Sequence, residues 1–188
     1  MSANLRNYTK AIYGFEHVLK LTPEKAYAKK SPCTGWVGRD VYEHGLGNVK
    51  MIHAFATTGK GPKSTPKLGA DPLGTWARLR DTTLDALDRP GALEEIAVDP
   101  FGPGFGSMPM DVLVGFMSSD LVVHAWDLAR TAKVDDHLDP ALCKDALAAW
   151  KSLPEDVLRM PGMFAPAIKS ARGADAQTKL LNFLGRAV

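Results

Sequence analysis

The stretch PMDVLVGFMSSDLVVHAWDLARTA, residues 109–132, decides the fold class. Met110, Leu113, Met117, Asp120, His124 and Asp127 recur at steps of three and four, the period of one helix face. Leu113, Val114, Phe116, Leu121, Val122 and Val123 make the same segment apolar almost all round, so it reads as a central, buried helix over 109–132. Asp120 and His124 therefore stand where a core stripe calls for Leu or Val. One helical turn separates them, so they lie side by side. A carboxylate buried without a partner is costly and would rather take up a proton.

A second stripe answers the first. Val37, Val41, His44, Asn48, Ile52 and Phe55 alternate steps of four and three over a helix of about residues 38–56, and two of them, His44 and Asn48, are polar. Further out, Leu5, Tyr8, Ile12, Phe15 and Leu19 predict a helix over 5–21, and Thr22-Pro23-Glu24 opens a short second piece. Residues 31–36 break the pattern, and the Gly-, Pro-, Lys- and Ser-rich stretch 59–69 reads as a surface loop. Asp71-Pro72 opens a third long helix with Leu73, Trp76, Leu79, Thr83 and Leu87 on one stripe, closed by Arg89-Pro90-Gly91. Residues 94–98 and the Gly-rich run 101–106 suggest a small β-hairpin. Asp139-Pro140 starts a fifth helix ending near 153, and residues 175–184 form a short terminal one. The fold class is all-α, a four-helix bundle with short extra helices and a small hairpin, in a single domain over 1–188.

Composition narrows the function classes. The chain has 188 residues, 45% hydrophobic and 23% charged, which fits one ordinary soluble domain. A net charge of +2, with Lys25, Lys29 and Lys30 the only basic crowd, argues against a nucleic-acid partner. The first thirty residues are amphipathic and charged throughout, unlike a signal peptide, and the longest unbroken apolar run is shorter than the ~18 residues of a membrane span. Two cysteines, Cys33 and Cys143, make no disulfide framework, so the chain is expected in the cytoplasm with reduced thiols and no membrane partner. Gly102, Gly104 and Gly106 are not set in a dinucleotide-binding fingerprint. Walker and nucleophile-elbow patterns are absent as well.

Of the five histidines, only His44 and His124 fall on core stripes. His53 is nine residues beyond His44 and faces the other way, His17 is a surface or boundary residue, and His137 sits in the charged loop Asp135-Asp136-His137. Two readings of the polar group stay open. In one, Asp120 and His124 are a satisfied hydrogen-bonded core pair with His44 as a third member. In the other, His44, Asp120 and His124 ligate a divalent metal and leave open positions, as in catalytic zinc or facial-triad iron sites. Asn48 and Asp127, each one turn from a proposed ligand, would then hold a ring nitrogen or a bound water. Cys33, in a turn ahead of the second helix, is assigned to packing, as are Trp36 and Trp126.

Three blocks carry a resemblance that spans nearly the whole chain. Pro32-Cys33-Thr34-Gly35-Trp36 with Arg39-Asp40 and His44 resembles the P-C-x-G-W-x-x-R-D-x-x-x-H block of the mycothiol-dependent maleylpyruvate isomerase metal-binding domain, a DinB-like helical bundle. Asp120–Arg130 and Leu180–Arg186 resemble later signatures of its stand-alone actinobacterial branch, in the same order. The resemblance implies a four-helix bundle holding a divalent metal, typically zinc (nickel or iron in the same donors), through His44, Asp120 and His124. It further implies a small thiol, mycothiol, as cosubstrate, an electrophilic small-molecule substrate, and isomerase or S-transferase chemistry. A homodimer fits such bundles. Three departures stand out. Asp120 replaces a Glu ligand, and no second, C-terminal domain is expected because the matching ending falls at residue 188. Val37 replaces a capping Thr, which costs the second helix about 1 kcal/mol. The first two departures favour an alternative, a metal- or ligand-binding module without turnover. The 59–69 loop and the 101–106 turn, beside the ends of the ligand-bearing helices, are expected to rim a pocket.

Overall fold

The computed structural model describes residues 1–102 and 106–188. Four long helices run over Ala3–Leu21 (α1), Gly38–Thr58 (α2), Pro72–Asp88 (α3) and Met110–Ala132 (α4). They are followed by α5 (Pro140–Lys151), the single-turn α6 (Glu155–Leu158) and α7 (Ala176–Phe183). Their starts follow local chemistry. Ser2 caps α1 by accepting from the Leu5 N–H at 3.0 Å, so the helix begins two residues before its first apolar position. Asp71-Pro72 and Asp139-Pro140 open α3 and α5, each Asp accepting first-turn N–H groups while the proline occupies a position whose N–H would be unpaired anyway. Asp175 caps α7. At α2, Val37 offers no side-chain cap, and the Asp40 carboxylate reaches back to the Val37 N–H at 2.8 Å instead.

The long helices close a ring of contacts. α4 packs on α1 and α2, and α3 completes the bundle against those same two. α5 covers a third side of α4, and α7 packs on α5. That three-sided burial explains why α4 is apolar nearly all round. α4 is long and apolar enough to cross a membrane, but 83% of its most apolar window lies inside the bundle. The core joins Tyr8, Ile12 and Phe15 of α1, Val41, Leu46 and Ile52 of α2, Trp76 of α3 and Leu113, Leu121 and Leu128 of α4. Phe15 stacks on Trp76 with centroids 4.5 Å apart. Leu73, placed on the α3 stripe by its spacing, is exposed at the helix start.

The hairpin is real but minimal. Ile96–Ala97 (β1) pairs antiparallel with Met108–Pro109 (β2), Ile96 opposite Pro109 and Ala97 opposite Met108. The pairing stops short of the expected 94–98 and hands directly into α4, whose Met110 and Asp111 N–H groups donate to the Glu95 and Leu93 carbonyls. Of the expected Gly-rich turn, residues 103–105 lie outside the described residues.

Gly38 fixes where α2 meets its neighbours. A Cβ there would lie 2.5 Å from the Ala26 carbonyl oxygen, in a 3-10 turn over Glu24–Ala28, and 3.2 Å from Thr131 on α4. The clash is with backbone, which relaxes poorly in a packed interior. Gly38→Ala is therefore expected to lower stability by about 1–3 kcal/mol, despite alanine's better helix propensity. A urea-denaturation midpoint equal to wild type would contradict that close approach.

Candidate metal centre

α2 and α4 bring His44, Asp120 and His124 together in one group whose nearest donor atoms lie within 4.8 Å of one another. His44 comes from α2 and the other two from one face of α4. The Asp120 carboxylate sits between the rings: Oδ2 is 3.0 Å from His44 Nε2, and Oδ1 is 3.5 Å from His124 Nε2. The rings meet edge to face at 4.6 Å between centroids. Asp120 and His124 are buried, whereas the His44 side chain is 37% exposed and marks the mouth.

A second tier holds these three in place. The Asn48 amide donates to Asp120 Oδ2, and its nitrogen lies 3.4 Å from His44 Nε2. On the other side, the His124 Nδ1–H donates to Asp127 Oδ2 at 2.9 Å. Asp127 is fully buried and receives a two-pronged guanidinium, with Arg186 Nε donating to Oδ1 at 2.8 Å and Nη2 to Oδ2 at 2.7 Å. The Thr131 hydroxyl donates to the Asp127 carbonyl at 2.6 Å. With Nδ1 committed to Asp127, Nε2 is the His124 nitrogen left for a ligand, the one that faces Asp120. This carboxylate–imidazole arrangement is how proteins orient a histidine toward a metal. Burial pushes the Asp120 carboxyl upward, but the charges of His124 and His44 outweigh it and hold the group well below the ordinary carboxylate range. Burial also disfavours a charged His124, yet Asp120 and then Asp127 outweigh it and push the ring up to about 9. At Asp127 the Arg186 hydrogen bonds, then His124, overcome burial and lower the carboxyl.

The donor set fits a divalent cation. Two imidazole nitrogens and a carboxylate oxygen converge on the scale of a cation ligated at about 2.0–2.2 Å by each, and the half-buried His44 borders the cavities from which a further donor could approach. The solvated triplet Asp135-Asp136-His137 is the other such cluster among the described residues; its His137 and Asp135 side chains are exposed, as expected of a charged loop. His17 is exposed and His53 is not part of the group.

Two cavities meet at the centre, sharing His44, Asn48 and Met51. One, of about 400 Å³, runs from His44, Asn48 and Asp120 into a wall that includes Met108, Met117, Phe116 and Trp150. The other, of about 640 Å³, is an open groove of mixed lining whose far side is residues 62–67, with Lys63 and with Lys67 paired to Glu43 at 3.0 Å. Thus the 59–69 loop does form a rim, and from the 101–106 turn Phe101 lines the apolar cavity.

Two residues around the centre escaped sequence reasoning. Trp36, read as structural, lies over both rings: its centroid is 5.1 Å from that of His44 and 5.5 Å from that of His124, nearly parallel to the latter at 14°. The turn puts it there. Lys30 bridges to Val37, the Ser31 N–H donates to the Trp36 carbonyl, and Gly35 takes the left-handed φ of 81° that the reversal needs. Arg186 carries no periodic signal. Cys33, half-buried in the same turn, is held protonated: burial first, then the Asp127 carboxylate, push its thiol up to about 11, although Arg186 opposes. A neutral thiol fits its packing role.

No family model matches the chain, and no solved structure does. It is 28% identical over 159 residues, 84% of its own length and 84% of theirs, to two curated Mycobacterium tuberculosis proteins. These are uncharacterized protein MT0763 of strain CDC 1551 / Oshkosh and uncharacterized protein Rv0738 of strain ATCC 25618 / H37Rv. Fold and site together define an all-α bundle protein with a buried His/Asp group able to hold a divalent metal.

Proposed function

We propose that this is a divalent-metal protein of the DinB-like, maleylpyruvate isomerase-like type, catalysing thiol-dependent isomerisation or S-transfer on a small electrophile in the cytoplasm. The observation that carries the reading is the His44–Asp120–His124 group, its His124 fixed by Asp127 and Arg186, at the junction of a groove of mixed lining and an apolar cavity. Bound there, zinc, nickel or iron would supply a Lewis acid with open positions that lowers the pKa of a water or thiol. The chain's own residues supply the rest. Asp127 keeps the His124 proton on Nδ1 and Arg186 keeps Asp127 ionised. Asn48 steadies the Asp120 oxygen facing His44. The groove beside Lys63, Ser64 and Thr65 suits a polar thiol such as mycothiol.

A second reading, a metal- or ligand-binding module without turnover, draws support from Asp120. Its side chain is one methylene shorter than Glu, and both its oxygens already engage Asn48, His44 and His124.

Elemental analysis of untagged protein tests the metal. About one divalent ion per chain is expected in wild type, with loss in both His44→Ala and His124→Ala. Wild type that holds none after incubation with excess zinc would leave a group of polar residues that merely satisfy one another. Turnover that requires both metal and a small thiol separates the enzyme from the module.

A further inference from the structure

We infer that the substrate body admitted beside this centre is uncharged and apolar, an aryl or alicyclic group carrying a single polar, reactive end. The identity of that end rests on the proposed function, whereas the apolar body follows from the cavity walls alone. Beyond His44, Asn48 and Asp120, every described residue lining the 400 Å³ cavity is apolar or aromatic. Four of these are methionines, Met51, Met108, Met117 and Met163, whose flexible thioethers adapt to ring faces. Trp150 presents an indole among them. Neither Lys nor Arg is among the described lining residues, so a second carboxylate or a phosphate would be desolvated with no counter-charge, at a cost apolar contact does not repay. The volume is that of a small-molecule site, which is about 300–1,000 Å³.

The polarity of the two cavities divides the labour. Charged and hydroxyl-bearing groups fit the groove past Lys63, Ser64 and Thr65, where Lys67 is already paired with Glu43, whereas the Met-lined side takes what water would rather exclude. The polar end of an apolar guest would thus come to rest against His44 and Asp120, the only described ionisable groups lining that cavity.

A matched pair of fluorophores tests this on the full chain. N-phenyl-1-naphthylamine is uncharged, and 1-anilinonaphthalene-8-sulfonate is the same skeleton with a sulfonate. The neutral probe is expected to bind saturably and at least about tenfold more tightly than the sulfonate, in zinc-treated and chelator-treated protein alike. Val157→Arg at the half-buried wall, and Met163→Arg at an exposed lining position that tolerates charge without refolding, are each expected to weaken the neutral probe by a similar factor. Equal affinity for the two probes, no saturable binding of the neutral one, or indifference to both substitutions would overturn the inference. Neutral-probe binding by a chain that takes up no metal even from excess zinc sinks the metal reading alone. Metal bound with no probe binding sinks this one alone.

Discussion

Asp127→Ala is expected to lower the free energy of unfolding by about 3–5 kcal/mol, the usual cost of stranding one partner of a buried ion pair. Arg186 is 6% exposed and points both prongs at that carboxylate, so removing Asp127 leaves a guanidinium in the interior without its ion-pair partner. Arg186→Met should cost less, because Asp127 keeps its second partner, the His124 ring. The double variant Asp127→Ala/Arg186→Met should be more stable than Asp127→Ala alone, since it removes the stranded charge together with its cause. Urea unfolding of the three variants measures the coupling; costs that simply add would show that the pair does not act as a unit. Metal affinity gives a second readout. Without Asp127 the His124 proton is no longer pinned to Nδ1, and zinc affinity is expected to fall about 10- to 100-fold. Asp127→Asn, whose amide oxygen can still accept that proton's hydrogen bond, should recover part of the affinity though not the stability.

The same residues show how far the sequence could be read. The bundle was legible because its helices carry unbroken apolar stripes, and α4 announced its central place by being apolar on the faces that now meet α1, α2 and α5. His44, Asp120 and His124 were legible for the converse reason: each interrupts such a stripe, and a polar residue on a core face must find a partner. Asn48 and Asp127 followed from helical spacing alone, being one turn from a proposed ligand. Arg186 could not follow in that way. It reaches Asp127 across 59 residues of chain from the segment just after α7, and its place at the end of the Leu180–Arg186 block assigned it no role. Trp36 was hidden for another reason. Its position over the imidazoles is set by the six-residue reversal 31–36, and no periodicity governs a loop. The single turn of α6 and the two-residue strands are too short to carry a period at all.

The strongest pH effect should be two stability curves with opposite slopes. In metal-free protein, His124 is flanked by Asp120 and Asp127, which raise it from 6.5 to about 9 despite burial. A group whose pKa rises on folding stabilises fully below its unfolded value, and that contribution is lost as pH climbs through the folded one. Metal-free protein should therefore lose stability between pH 6.5 and about 9, by an amount on the order of 3 kcal/mol. Asp120 and Asp127 are lowered, so their contribution is present above the unfolded value of 3.8 and lost as pH falls through their folded values. Metal-free stability is thus expected to peak on the acidic side of neutral. A cation must take the Nε2 that the proton holds, so zinc affinity should rise roughly tenfold per pH unit up to about 9. Zinc-loaded protein should then gain stability by mass action across the very window in which the metal-free chain loses it. Melting curves from about pH 6 to pH 9, with chelator and with zinc, make the comparison. His124→Ala should flatten both. Parallel curves for the two preparations would mean that the proton and the cation do not compete for this ring.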